Sequence, residues 1–286
     1  MKFGIAFANV GPFGQAEHAA FLGQRCDEVG VESLWTVEHV VVPQGYKAQY
    51  PYSKDGRMPG GEDSPIPDPI VWLSFMAGVT ERVRLGTGIL ILPQRHPVYV
   101  AKAFASLDQL SGGRAALGVG IGWMKDEFEV LGIPFEERAP RTEESCQALR
   151  SLWSPGATGF DGKFYNWGPV ESNPKPVQQP GVPIIVGGHV QGAARRAARV
   201  GDGFWPNVSP AELPGLLDVM ADECGKTGRN PGEIEITCGL GKPSLDFVKQ
   251  MEDLGVSRLM MPPPGFDHDG LRAGLEKIGN ELIAKV

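Results

Sequence analysis

Short apolar runs and amphipathic stretches alternate along this chain from end to end. The first run, residues 3–8 (FGIAFA), has the length and character of a strand buried on both faces. Residues 15–29 then place Ala19, Leu22 and Cys26 on one helical face, and Gly30 ends that stripe. The same alternation predicts strands over 33–36, 83–92, 115–122, 183–186, 203–206, 234–238 and 258–261. Helices are expected over 68–80, 97–111, 123–132, 138–153, from about 192, 211–227, 245–254 and 271–284. A strand followed by a helix at this spacing favours parallel pairing through crossovers. The strand–helix units together predict an α/β fold, a (β/α)8 TIM barrel forming a single domain over residues 1–286.

Two stretches interrupt the rhythm. Residues 40–67 show neither period, and an excursion of this length after the second strand reads as a lid that helps choose the substrate, or as a flexible or oligomer-contacting loop. Tyr46, Tyr50 and Tyr52 give it aromatic surface, and Lys47, Lys54 and Arg57 give it positive charge. Around Asp161-Gly162 the run FDGKFYNW reads as a hairpin.

Several residues fall where chemistry is done in a barrel, at strand C-termini. The second strand runs into Glu38-His39. An imidazole there either caps the strand or moves a proton near neutral pH. Gly86 and Gly88 in the third strand, and Gly118, Gly120 and Gly122 in the fourth, either clear room for a flat ring or allow tight packing inside the barrel. Gly187-Gly188-His189, placed between a strand and a helix, makes a plausible anion site, with Arg195, Arg196 and Arg199 adding positive charge along the helix.

Composition narrows the field. With 286 residues, 42% of them hydrophobic, the chain can bury a large core. A net charge of −7 argues against nucleic acid or an anionic membrane as partner. Met1-Lys2 leads straight into a strand, so no signal peptide is expected, and no apolar run approaches membrane-spanning length. Cys26, Cys146, Cys224 and Cys238 lack paired spacing and read as buried thiols of a cytoplasmic protein. A metal-dependent hydrolase would need ligand-spaced histidines, and the five present do not supply them; Phe266-Asp-His-Asp-Gly is only superficially suitable, so no metal is expected.

The stretch GTGILILPQRHPVYVAKAFASLDQLSGGRAALGVGIGW resembles the central signature of the luciferase-like monooxygenase superfamily, in particular its coenzyme F420-dependent oxidoreductases. The strand ending Trp35-x-x-Glu38-His39, and PIIVGG followed by GDGFWP, extend the resemblance over essentially the whole chain. It implies a bacterial-luciferase-like barrel with His39 as the catalytic proton donor or acceptor and Glu38 as a weaker catalytic candidate, orienting or electrostatic. The cofactor's ring would rest against Gly88-Ile89, whose peptide is often cis in the family. Trp123 and Asp126 would face the cofactor, and Gly187-Gly188 would hold its phosphate. The F420-dependent sugar-phosphate dehydrogenases carry glutamate and asparagine where this chain has Trp123 and Asp126. A tryptophan is no acid, so sugar-phosphate oxidation is not expected. The resemblance implies hydride transfer between F420 and an unidentified small organic molecule. The alternative is an FMN-dependent monooxygenase using reduced flavin, O2 and a flavin reductase partner. A flavin-binding protein without turnover is the remote alternative. A homodimer is expected.

Overall fold

The computed structural model describes residues 1–239, 241 and 244–286. Among them, eight parallel staves close into a barrel: Lys2–Ile5, Ser33–Thr36, Arg84–Thr87, Ala115–Gly120, Ile184–Gly187, Gly203–Trp205, Glu235–Gly239 and Arg258–Met261. Closure is direct, because Lys2–Ile5 pairs on one side with the last stave (Phe3↔Leu259) and on the other with the second (Ile5↔Leu34). The third and fourth staves meet at Leu85↔Ala115. Helices pack outside, as the alternating pattern requires.

Side-chain alternation divides the interior into two layers. Leu34, Leu85, Leu117 and Ile184 point outward and pack in the main core with residues such as Phe104 and Leu149 from the surrounding helices. Their neighbours Trp35, Ala116 and Ile185 point inward and meet Ala6, Met260 and Trp205 inside the barrel. Below Trp35, at the N-terminal end, the buried Arg258 donates to Glu32 at 2.8 and 2.9 Å, to Thr237 Oγ1 at 3.2 Å, and to Glu235. That ion cluster plugs the floor, so the open end is the one where the staves finish.

The structure corrects several boundaries. The expected strand over 83–92 is two pieces, Arg84–Thr87 and Leu90–Ile91, and the Gly88-Ile89 peptide between them is cis, as the resemblance implied. The second piece still follows the fourth stave, through Leu90↔Val119. The first strand stops at Ile5, since Phe7 takes φ 57°, a left-handed conformation that turns the chain. The hairpin joins Thr158–Asp161 to Asn166–Val170 through four residues rather than at Asp161-Gly162. A side chain fills that longer turn: the Glu144 carboxylate accepts N–H groups from Lys163, Phe164 and Tyr165 at 3.0, 2.7 and 2.8 Å. The last helix begins at His268, three residues early, because Asp267 caps it by accepting from Gly270 N at 2.8 Å. All four cysteines are buried, and burial pushes the Cys146 and Cys238 thiols up to about 12, which makes them poor nucleophiles.

Candidate active site

Asn9, just beyond the first stave, fixes how the chain leaves the second. Its amide nitrogen donates to Val37 O at 2.9 Å and Pro67 O at 3.1 Å, and its oxygen accepts from Val37 N at 2.9 Å. Beyond Val37, Glu38 and His39 turn to different partners. Glu38 is buried and accepts from Ile91 N at 2.6 Å, from Arg95 Nε at 2.8 Å and from a second Arg95 nitrogen. Arg95 also reaches Asp68 Oδ2 at 2.7 Å. Burial pushes the Glu38 carboxyl up, against the pull of Arg95. Both Glu38 oxygens are therefore committed to holding the end of the second stave against the chain that follows the third. The structure does not set Glu38 beside the imidazole.

Another acid takes that place. Glu127, completely buried, faces His39 Nδ1 through Oε2 at 3.0 Å. Its Oε1 accepts from Val40 N at 2.6 Å and Val41 N at 3.3 Å. A carboxylate so committed as acceptor assigns the imidazole proton to Nδ1 and leaves Nε2, which has no partner among the described residues, to give or take a proton. Sequence reasoning missed Glu127. Its signal was an acid at the spacing of one helical face with the apolar Met124, which stands at the N-cap of Lys125–Val130, and beside Phe128 within that helix.

The long excursion lies across this end of the barrel. The Trp123 ring stands edge-on to His39, with centroids 5.7 Å apart and planes at 86°. From Trp123 the contacts continue to Tyr50 at 5.2 Å, Tyr52 at 5.4 Å and His189 at 5.0 Å, forming a belt of rings from the second stave to the fifth. The Tyr52 hydroxyl lies 3.0 Å from His189 Nδ1. Burial raises the Tyr50 and Tyr52 hydroxyls, so both stay protonated. Tyr46 and Met58 seat the segment on Met124 in a small core of their own, beside Trp123. Asp126, expected to face a cofactor, instead accepts from Lys47 N at 3.0 Å and Ala48 N at 3.1 Å. The Lys47 N–H holds that carboxyl below its usual range.

The strand glycines make room for protein. A Cβ at Gly86 would come within 2.5 Å of Trp35, one at Gly88 within 2.5 Å of Trp205, and one at Gly118 would overlap the Thr87 carbonyl. Ile89 fills the space beside Gly120 and Gly187, whose added Cβ atoms would come within 2.6 and 2.8 Å of it. Of the two readings, tight packing accounts for these contacts, while Gly88 and Ile89 themselves stay half-buried. Gly188 takes φ 142° and its N–H donates to Trp205 O at 3.2 Å. The helix Gln191–Val200 that follows has no side-chain cap, and the space at Gly192 is open, so N–H groups at its start remain available for an anion. The arginines contribute less than expected. Arg199 is bound to Glu143 and Glu223, Arg196 lies 3.5 Å from Glu143, and Arg195 reaches Gln191 on its own helix at 3.1 Å.

Residues 1–242 match the family model described as luciferase-like monooxygenase. An uncharacterised protein of Mycobacterium tuberculosis is 32% identical over 276 residues, covering 93% of this chain and 94% of its own. An F420-dependent glucose-6-phosphate dehydrogenase of Amycolatopsis mediterranei is 33% identical over 198 residues, which is 68% of this chain and 53% of that protein. Among solved structures, a monooxygenase of Streptomyces bottropensis superposes with a TM-score of 0.79 at 25% identity over 99% of both chains. An F420-dependent secondary alcohol dehydrogenase shares the fold, with a TM-score of 0.77 at 18% identity over 99% of this chain and 98% of its own.

Proposed function

We propose, for a chain that belongs to the luciferase-like monooxygenase family, that it is an F420-dependent oxidoreductase acting on a small, moderately hydrophobic organic molecule in the cytoplasm. The observation that carries this reading is the His39–Glu127 pair at the open end of the barrel. The donor set fits the cofactor. The Gly88-Ile89 edge would back a flat ring, and the uncapped start of Gln191–Val200, beside Gly187-Gly188, would take an anionic phosphate. When bound, the deazaflavin supplies two-electron hydride transfer. The chain supplies the rest: Glu127 holds the imidazole by Nδ1, and Nε2 gives or takes the substrate proton. Trp123, Tyr50 and Tyr52 exclude water and offer ring faces to an apolar substrate. Support for F420 comes from the relative of that dependence at 33% identity. With Trp123 beside His39, no second acid stands at that position for sugar-phosphate oxidation.

A second reading is an FMN-dependent monooxygenase fed by a flavin reductase, favoured by the full-length likeness to the Streptomyces bottropensis monooxygenase. Titrating the purified protein with oxidised F420 and, separately, with FMN, followed by tryptophan quenching, separates the two. Tight binding of F420 alone supports the hydride-transfer reading, preference for FMN moves it to oxygenation, and binding of neither overturns both. The partner we propose is a second copy of the chain, docked through the helices Pro69–Val79 and Pro97–Ser111, which pack side by side and leave Val71, Phe75, Tyr99 and Leu110 exposed.

A further inference from the structure

We propose that Asp126 and Glu127 form a clasp through which the seating of residues 40–48 sets the imidazole of His39, with Glu127 as a positioning residue; this rests on His39 being the proton-transferring group. Four backbone N–H groups of the excursion, those of Val40, Val41, Lys47 and Ala48, end on two successive carboxylates of one short helix, Lys125–Val130. The segment builds no helix or strand of its own, and its small apolar core rests on Met124 at the start of the same helix. That helix is therefore where the segment is fastened. The two carboxylates divide the task. Asp126 holds the far end of the segment, at Lys47 and Ala48, whereas Glu127 spends Oε1 on Val40 and Val41 and Oε2 on His39.

The coupling follows from burial. Glu127 is fully enclosed, and a buried carboxylate stripped of backbone donors is costly. If residues 40–48 lift away, Glu127 must either turn to water or follow the departing N–H groups. Either movement takes Oε2 from Nδ1, and the ring loses the contact that selects its tautomer. The proton-transferring nitrogen is then correctly presented only while the segment is seated. Substrate that holds the segment down would organise the imidazole in the same event.

The test needs neither cofactor nor substrate, so its failure is distinguishable from failure of the F420 reading. Asp126→Ala removes the outer half of the clasp without touching His39. Trypsin should then cut at Lys47, Lys54 or Arg57 about tenfold faster, as expected for losing two backbone hydrogen bonds. The ring 15N signals of His39, assigned by comparison with His39→Gln, should move from one tautomer toward a mixture. Glu127→Gln should produce the same mixture, and Glu127→Asp should partly restore the single tautomer. Faster cleavage with unchanged ring signals in Asp126→Ala would overturn the coupling. Unchanged cleavage and ring signals in Asp126→Ala would also overturn it.

Discussion

A methyl group at Gly118 would overlap the carbonyl oxygen of Thr87, which belongs to a neighbouring strand and cannot rotate away. One at Gly120 would meet Ile89 Cδ1 at 2.6 Å, the far end of a side chain that can turn. Gly118→Ala should therefore cost about 3 kcal/mol and Gly120→Ala about 1 kcal/mol, read from denaturant midpoints at unchanged slope. Equal losses would show that backbone contact is not what requires glycine at 118. The glycine spacing was visible in the sequence, but its use was not, because the atoms that fill the space, Trp35, Ile89 and the Thr87 carbonyl, come from other parts of the chain. His39 was legible from its place at a strand end, whereas its partner lies 88 residues away, after the fourth stave, and reaches it across the end of the third. On the proposed function, His39→Ala should retain F420 binding and lose about 10²- to 10⁴-fold in turnover once a substrate is found, the range for a positioned proton-transfer group. Unchanged turnover would remove His39 from the mechanism.

At the scale of elements, the periodic pattern found what is locally determined. Arg138–Trp153, Ser33–Thr36 and Arg258–Met261 begin and end where their patterns do. It missed the hairpin turn, where Glu144, about twenty residues away, decides, and it placed the last helix three residues late because the Asp267 cap precedes the first apolar position of the pattern. The barrel floor is another such place. Burial alone would raise the Glu32 carboxyl, but its bond and charge pairing with Arg258 outweigh that and leave it lowered. A carboxyl lowered in the folded state stabilises above its unfolded value of about 4.3, and that contribution is lost as pH falls through the lower folded value. Glu32→Gln should therefore cost about 2 kcal/mol at pH 7, moderated because Glu235 still pairs with Arg258. Its melting temperature should then fall less steeply than that of the wild type between pH 5 and pH 3, on the order of that titration. Parallel curves over that range would mean that Glu32 does not carry the acid dependence.

The whole molecule presents a feature that the sequence pattern alone could not orient. In PIVWLSFMAGV, the helix Pro69–Val79, apolar residues run all the way round, so periodicity cannot say which face is inside. In the folded chain Trp72, Leu73, Met76 and Ala77 are buried, while Val71 remains 70% exposed, and across the groove Tyr99 and Leu110 of Pro97–Ser111 are 79% and 72% exposed. Neighbouring apolar faces of this kind are what a self-complementary two-fold contact needs, two helices from each copy making a four-helix layer. The location matters for the site. Asp68, which caps the first of these helices, also holds Arg95, and Arg95 holds Glu38 at the end of the second stave. A second copy bracing that helix would thus brace the end of the second stave. The expected wild-type species at micromolar concentration is a dimer whose melting temperature rises with protein concentration. Phe75→Glu combined with Leu110→Glu should sediment as a monomer and melt independently of concentration, because it places like charges in the proposed contact. A monomeric wild type, or a double variant that still dimerises, would place the interface elsewhere or remove it.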